Sequence, residues 1–129
     1  MQETKEKALI IEDDPDLVYI FARALELSGY QTQTVSDGVS ALALLEQMVP
    51  DIVVLDLHLP EVSGSKILAA IRANKYLANT KVVLATADHL TAESLRDDAD
   101  LVLLKPISFK QLRDLSGRLR KTKQTVQDS

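Results

Sequence analysis

The stretch Asp51-Ile52-Val53-Val54-Leu55-Asp56 decides the fold of this chain, and Leu57-His58-Leu59-Pro60 follows it directly. The apolar run between the two aspartates has no alternation of polar and apolar residues, which is typical of a strand buried on both faces. Pro60 lacks an amide hydrogen, so a strand is not expected to continue through it. Asp56 is therefore predicted to stand at the carboxyl end of a central parallel strand, the edge where open α/β sheets bind ligands.

Other apolar runs also end in residues that carry chemistry. Leu9-Ile10-Ile11 is followed by the acids Glu12-Asp13-Asp14, Val82-Val83-Leu84-Ala85 by Thr86, and Leu101-Val102-Leu103-Leu104 by Lys105-Pro106. The carboxyl ends of parallel strands meet at one edge of a sheet. We therefore expect the acids, the hydroxyl and the lysine to converge on a single site.

Helical patterns separate the strands. Asp14 with Pro15 predicts a helix start, and Gly29 predicts the end of that helix. The alternation of strands and helices predicts an α/β fold: a doubly wound, flavodoxin-like sheet of five parallel strands in the order 2-1-3-4-5, with helices on both faces. In that order the first and third strands are neighbours, which places Glu12 and Asp13 beside Asp56.

Several local expectations follow from the same patterns. We expect a first strand from Lys7, a second strand over 31–35, a second helix that continues through Met48 until Pro50, and a fourth helix over 92–97 capped by Thr91. Gly64 is expected to adopt backbone angles that other residues rarely adopt. Ser108 and Gln111 are expected to form a capping box. The predicted apolar stripe of the first helix contains Leu17, Ile20, Phe21, Ala24, Leu25 and Leu27, and that of the second begins with Val39.

The bulk composition narrows the classes of function. The chain has 129 residues, which suits one domain, and we place it at 7–121 with flexible termini at 1–6 and 122–129. There is no Cys, which excludes disulfides and thiolate metal sites. The net charge of −4 argues against direct nucleic-acid binding. No apolar run reaches the ~20 residues of a membrane span, and we see no signal peptide, so we expect a cytoplasmic protein without membrane contact.

The converging residues suit phosphoryl transfer. Clustered carboxylates repel one another unless a cation relieves them, and Mg²⁺ accepts carboxylate and phosphate oxygens. Asp56 is the most central acid and the best candidate nucleophile, because carboxylates form acyl phosphates. Lys105 and Thr86 would hold oxygens of the incoming group. Taken singly, Asp14 is more simply a helix cap, Glu12 a charge that tunes the site, and Lys105 a surface lysine.

In these motifs the sequence resembles the receiver domain of two-component response regulators. The matching pieces are Ile10 to Asp14, Asp51 to Pro60 with Gly64, Ala85-Thr86-Ala87 and Leu104-Lys105-Pro106. The resemblance implies that Asp56 is the phosphoacceptor and that Mg²⁺ or Mn²⁺ is bound by Asp13, Asp56 and the backbone carbonyl of His58, with Glu12 acting indirectly. It further implies that Thr86 and Lys105 bind the phosphoryl group, that His58, Ala87, Asp88 and Pro106 modulate it, and that Lys105-Pro106 is a cis peptide.

The sequence departs from the family pattern on one side of the site. The family usually has Tyr or Phe three residues before the lysine, where this chain has Val102. The segment between Thr86 and Lys105 is also short by about one helical turn. Both departures concern the fourth helix and its surroundings, the face that the resemblance associates with output.

From this we expect a stand-alone receiver that takes a phosphoryl group from the phosphohistidine of a histidine kinase or phosphotransfer protein and then changes its affinity for an unknown downstream protein. We expect a monomer or weak homodimer, and no enzymatic activity beyond its own phosphorylation and slow dephosphorylation. One alternative is a phosphatase with an aspartyl nucleophile, although His58 stands where such enzymes usually have a second Asp. The other is a receiver-like interaction module that is never phosphorylated.

Overall fold

The computed structural model describes residues 5–120, so most of the predicted flexible termini lies outside the described residues. Five parallel strands form one sheet in the order β2-β1-β3-β4-β5, which confirms the predicted topology. The strands are β1 (Glu6–Ile11), β2 (Tyr30–Val35), β3 (Ile52–Leu55), β4 (Lys81–Thr86) and β5 (Leu101–Leu104). Helices connect them as α1 (Pro15–Leu27), α2 (Gly38–Leu45), α3 (Gly64–Ala73), α4 (His89–Ser94) and α5 (Phe109–Arg118), with short 3-10 turns at Lys75–Leu77 and Arg96–Asp98.

The sheet has a hydrophobic core on each face, which explains why the central strands are apolar throughout. Leu9 and Ile11 of β1 point into the core covered by α2, α3 and α4. Ala8 and Ile10, the alternate residues of the same strand, point into the core covered by α1 and α5. Side chains of a strand alternate between faces, so a strand with helices on both sides needs an apolar residue at every position.

The sheet register brings the strand ends into line. Ile11 pairs with Leu55, Leu55 with Leu84, and Leu84 with Val102. The next residues beyond the paired Ile11 and Leu55 are Glu12 and Asp56, and the Asp56 amide donates to the Ile11 carbonyl at 3.0 Å. This register is what turns the separate strand-end motifs of the sequence into one site.

The start and end of α1 are as predicted. The Asp14 carboxylate accepts from the Asp16 amide at 2.9 Å, Pro15 is the first helical residue, and Gly29 adopts a φ of 102° after the helix. Its buried stripe is narrower than predicted, because Ile20 and Leu27 are 36% and 57% exposed. Leu27 lies about 200° around the helix from the buried Leu25, which places it on the solvent side.

Other local expectations were wrong. Helix α2 ends at Leu45 instead of continuing through Met48, and its Val39 is 53% exposed. A residue before proline is driven out of the helical region, so the chain must leave the helix well before Pro50. The first strand begins at Glu6, one residue earlier than expected.

Two further corrections concern loops beside the site. Helix α4 begins at His89 and is capped by Asp88, whose carboxylate accepts from the Thr91 amide at 3.0 Å, so Thr91 is the capped residue and not the cap. In the β3–α3 loop the residue with positive φ is Glu61, at 72°, and not Gly64. Gly64 is required for another reason: a Cβ there would lie 2.6 Å from the Leu57 Cα.

Candidate functional site

The acidic residues of the sequence motifs come together at the carboxyl edge of the sheet. Glu12, Asp13 and Asp56 each offer a carboxylate oxygen, and these atoms lie within 4.8 Å of one another. Glu12 and Asp56 are buried, at 1% and 5% exposed, while Asp13 is open to solvent. A group of oxygen donors with one open side suits a hard divalent cation that keeps part of its water shell. The residues present therefore fit a metal ion of this class.

Lys105 supplies positive charge to the same group. Its Nζ lies 3.0 Å from Glu12 Oε1 and 3.7 Å from Asp56 Oδ1. The peptide bond between Lys105 and Pro106 is cis. The Lys105 amide donates a hydrogen bond to the Thr86 carbonyl at 2.8 Å, which fixes where the lysine leaves the sheet. A cation between two buried carboxylates offsets part of their mutual repulsion.

Glu12 shows the electrostatic cost of this arrangement. Burial raises the pKa of the Glu12 carboxyl above its usual range, the nearby Asp56 raises it further, and the hydrogen bond from Lys105 opposes both. The other Glu12 oxygen accepts from the Asp14 amide at 3.3 Å. Both oxygens of Glu12 are thus engaged by other residues of this chain.

Thr86 stands at the end of β4, beside β3 in the sheet. It is fully buried, and its Oγ1 accepts a hydrogen bond from the Asp88 amide at 3.1 Å. The hydroxyl hydrogen remains for a second partner, because a threonine hydroxyl both donates and accepts. The structure thus places Thr86 on the same edge as the acids, with its hydroxyl engaged by the β4–α4 loop.

His58 and Asp88 contact each other across the mouth of the site. His58 Nε2 lies 3.1 Å from Asp88 Oδ2, and the His58 amide donates to Asp56 Oδ1 at 3.2 Å. The hydrogen bonds to Asp88 from Thr91 and from His58 hold the pKa of its carboxyl below the usual range. The sequence marked both residues as modulators but missed their contact. The signal in the sequence is that each residue stands shortly after the end of one of two neighbouring strands, β3 and β4.

The remaining predicted residues lie around the edge. Ala87 and Pro106 are exposed. Val102 is half-buried and packs against the core covered by α2, α3 and α4, so the departure from the aromatic pattern fills a place in the core. Asp14 caps α1 and is not among the three acids that could share a metal ion.

An open cleft of about 500 Å³ adjoins the acids on the β2 side. Its walls are the start of α1 and the loop that joins β2 to α2. Glu12, Asp13, Pro15, Val18, Thr34, Val35, Ser36, Asp37 and Ser40 line it. The cleft leaves the exposed side of Asp13 accessible from solvent.

Comparison with known proteins identifies the family. The model of the response regulator receiver domain matches residues 8–116, and the chain belongs to this family. It is thus a receiver domain of two-component signal transduction, the class of phosphoacceptor domains that the sequence predicted. Among the curated relatives, the DNA-binding response regulator MtrA of Mycolicibacterium smegmatis is 30% identical over 125 residues, which are 94% of this chain and 54% of the relative.

Solved structures of receiver domains and response regulators have the same fold. A CheY-like response regulator receiver domain from Methylobacillus flagellatus superposes with a TM-score of 0.80 at 27% identity, over 91% of this chain and all, 100%, of that chain. The Mn²⁺-bound form of response regulator Rcp1 has a TM-score of 0.74 at 25% identity, over 88% of this chain and 91% of the other.

The match to the curated relatives is confined to one part of them. The chain spans about half the length of the curated relatives it matches, between 43% and 54% for three of them. Within residues 5–120, no helix is long and apolar enough to cross a membrane.

Proposed function

We propose that Asp56 is the phosphoacceptor of this receiver, and that the donor is the phosphohistidine of a histidine kinase or of a phosphotransfer protein. One observation carries the proposal: the oxygens of Asp56, Glu12 and Asp13 lie within 4.8 Å of one another, with Lys105 Nζ 3.7 Å from Asp56 Oδ1. Lys105 contacts Glu12 as well, but both Glu12 oxygens are engaged, by Lys105 and by the Asp14 amide, which favours Asp56 as the acceptor.

The reaction needs no general base on this chain. An Asp56 carboxylate oxygen forms a new bond to phosphorus while the bond from phosphorus to the donor imidazole nitrogen breaks, and that nitrogen keeps the electron pair and is protonated. Lys105 and the Thr86 hydroxyl would each hold an oxygen of the transferred group, since catalysis of this step rests on positioning and charge stabilisation.

We further propose Mg²⁺, or Mn²⁺, as the cofactor. Asp13, Asp56 and the His58 backbone carbonyl would be its direct ligands, and Glu12 would act through its charge and through water. When bound, the metal supplies charge neutralisation for the phosphoryl oxygens. The oxygen-rich donor set and the Mn²⁺ named for the structurally similar Rcp1 support this assignment.

His58, Ala87, Asp88 and Pro106 would set the rate and lifetime of phosphorylation, because they border the Asp56 and Lys105 side of the site. Phosphorylation would change the affinity for a downstream protein partner. We place the working domain at 7–121, in the cytoplasm, as a monomer or weak homodimer. We place no nucleic-acid contact on this chain, since its net charge is −4, and expect the DNA contacts of relatives such as MtrA to reside in their other half.

No observation favours the two alternatives. A phosphatase would need a second acid two residues after Asp56, and His58 stands there with its ring held by Asp88. An unphosphorylated module would not need Lys105 beside two buried carboxylates, an arrangement that is costly unless it is used.

The test is labelling with acetyl phosphate, followed by mass spectrometry. Wild-type protein should gain one phosphoryl group when Mg²⁺ is present, because the metal and Lys105 neutralise the incoming oxygens. Asp56→Asn should gain none, and Asp13→Asn should be labelled more than about tenfold more slowly, since removal of a metal-site partner typically costs about that factor.

Asp16→Asn is the matched control. Asp16 is an exposed acid of the same local sequence, on the first turn of α1, and belongs to no metal-binding group among the described residues. Its labelling should equal that of the wild type. Labelling of Asp56→Asn at the wild-type rate would overturn the assignment of the acceptor.

A further inference from the structure

A continuous chain of polar contacts joins the acceptor to helix α4. The His58 amide donates to Asp56 Oδ1 at 3.2 Å, and the His58 ring lies 3.1 Å from Asp88 Oδ2. The second Asp88 oxygen caps α4 by accepting from the Thr91 amide at 3.0 Å. This series of polar contacts thus runs from Asp56 to the first turn of α4 through the side chains of His58 and Asp88.

Asp88 also contacts Thr86. Its amide donates to Thr86 Oγ1 at 3.1 Å, so one residue meets the hydroxyl of β4, the ring of His58 and the N-terminus of α4. Any movement of Asp88 must therefore be felt at each of these places. No other residue described between 5 and 120 is recorded with contacts to all three.

The core offers no comparable route. Val102 pairs with Leu84 on the neighbouring strand and packs among Leu95, Ala99 and the other side chains of that core. The β-branched side chain of Val102 is restricted at its first torsion and has no ring to swing between a buried and an exposed position. A structural change at Asp56 can reach α4 more directly through the polar contacts of His58 and Asp88 at the surface.

We propose that His58 and Asp88 form a coupling bridge that transmits the phosphorylation state of Asp56 to helix α4. In this coupling they are positioning residues, because they act on α4 through the contacts described, separately from any effect on the lifetime of the phosphoryl group. The inference rests on the proposed function, since it takes Asp56 to be the acceptor.

The bridge responds at both ends to a new group on Asp56. A phosphoryl group changes the acceptor of the His58 amide, and it attracts the Thr86 hydroxyl by a charge-assisted hydrogen bond. Both changes act on Asp88, one through His58 and one through Thr86. Asp88 holds the start of α4 at two points, because its carboxylate accepts from the Thr91 amide and its backbone carbonyl accepts from the Ala92 amide at 3.0 Å. Since α4 has only six residues, a small displacement of Asp88 shifts the whole helix.

The coupling is reciprocal. A ligand can shift α4 only to the extent that it interacts differently with the two positions of the helix, and a protein that holds α4 in its shifted position must favour phosphorylation by the same factor. The bridge thus links the occupancy of α4 by a partner to the ease of phosphoryl transfer at Asp56.

The experiment uses amide chemical shifts with Mg²⁺ and saturating beryllofluoride, a mimic of the phosphoryl group. The shifts of residues 12–14 report that the mimic is bound, and those of residues 89–94 report the response of α4. In wild-type protein both sets should change. In His58→Ala, residues 12–14 should still respond, while the response of α4 should fall well below wild type, because the contact between residue 58 and Asp88 is lost.

Three further variants separate coupling from mere structure. Asp88→Ser keeps the helix cap, because serine caps as well as aspartate, but removes the oxygen that meets His58, and it should match His58→Ala. The double variant should lose no more than either single one, as expected for two residues of one contact. His58→Gln places an amide donor within reach of Asp88 and should restore the response.

His89→Ala is the control, since His89 is exposed and stands one residue after Asp88 without being part of the bridge. Its α4 response should equal that of the wild type. An undiminished α4 response in both His58→Ala and Asp88→Ser would overturn the inference while leaving the proposed function intact. No response of residues 12–14 in wild-type protein would overturn the proposed function, and the inference with it.

Discussion

Tyr30 links strand β2 to helix α5 through its hydroxyl group. Its ring is 1% exposed at the start of β2, and its OH donates to the Ser116 carbonyl of α5 at 2.9 Å. Burial raises the pKa of the Tyr30 phenol far above its usual range, and the nearby Glu6 carboxylate adds to this effect, while Arg120 opposes it. Ionisation of the Tyr30 phenol therefore lowers the stability of the folded state.

The sign of the pH dependence follows from this shift. The pKa of the Tyr30 phenol is higher in the folded state than in the unfolded chain, where it is about 10. Tyr30 therefore contributes its full stability below about pH 10, and this contribution is lost as the pH rises above that value. Tyr30→Phe cannot ionise, so its free energy of unfolding should fall less between about pH 9 and 11 than that of the wild type.

At neutral pH the same variant should be less stable by about 1 kcal/mol, because it loses one hydrogen bond to a buried carbonyl. Urea denaturation at neutral pH and at about pH 9 and 11 measures both effects. Tyr19→Phe, at a 68% exposed position, is the matched control and should follow the wild type. An alkaline loss of stability as steep in Tyr30→Phe as in the wild type would show that another group causes it.

The residues that sequence could identify are those whose roles depend on strand order. Glu12, Asp56, Thr86 and Lys105 each follow an apolar run, and the parallel topology alone brings them to one edge. The contact between Tyr30 and Ser116 joins residues 86 positions apart and depends on how α5 packs, which no local pattern records.

Helix α3 and the residues that directly follow strand β3 approach each other so closely at Gly64 that no side chain fits between them. A Cβ at this position would overlap the Asp56 carbonyl oxygen and lie 2.6 Å from the Leu57 Cα. Both neighbours are backbone atoms, which cannot rotate away. The Gly64 amide also donates to the Leu57 carbonyl at 3.0 Å, so the start of the helix is held against the residue that follows Asp56.

Gly64→Ala should therefore displace the loop that carries Asp56 and His58. We expect a loss of stability of about 1–3 kcal/mol, as for other overpacked sites, and slower labelling by acetyl phosphate because the acceptor moves relative to Lys105. Thermal or urea denaturation measures the first effect and mass spectrometry the second.

Gly117→Ala is the matched control on α5. Its Cβ would meet nothing closer than the Ser28 hydroxyl at 3.9 Å, and alanine favours a helix over glycine by about 1 kcal/mol. This variant should be as stable as the wild type or more so, with unchanged labelling. A neutral Gly64→Ala would show that the loop yields more easily than its backbone contacts imply.

The boundaries of α4 show why element ends were harder to predict than elements. Asp88 and Thr91 are both good N-caps, three residues apart, and sequence alone favoured the second. The choice depends on where β4 ends. Pairing of Thr86 with Leu104 extends β4 to Thr86, which leaves Asp88 as the first residue free to cap the helix.

The sheet order was predictable because it needs only the alternation of strands and helices and the position of the acids. The conformation of the loops above the sheet was not, since Glu61 takes the left-handed conformation and Gly64 does not. A glycine pattern records that a side chain is excluded but not whether torsion angles or close approach exclude it.

The whole molecule carries a cluster of negative charge at one end of its sheet that Lys105 compensates only in part. Three carboxylates lie within 4.8 Å, and Lys105 is the cation that contacts two of them among the described residues. The unfolded chain has no such cluster, so this repulsion lowers the stability of the folded state alone. A ligand that binds only the folded state raises its stability by mass action.

Mg²⁺ should therefore raise the melting temperature of the wild-type protein. At a concentration tenfold above its dissociation constant the stabilisation is about 1.4 kcal/mol, or about 3–6 °C for a chain of this size. Asp13→Asn should start slightly more stable than the wild type, because one charge of the cluster is gone, and should lose the response to Mg²⁺. Differential scanning calorimetry at constant ionic strength measures both quantities, with Asp16→Asn as the control. An equal Mg²⁺ shift in wild type and Asp13→Asn would place the metal elsewhere on the molecule, since general screening of charge is already held constant.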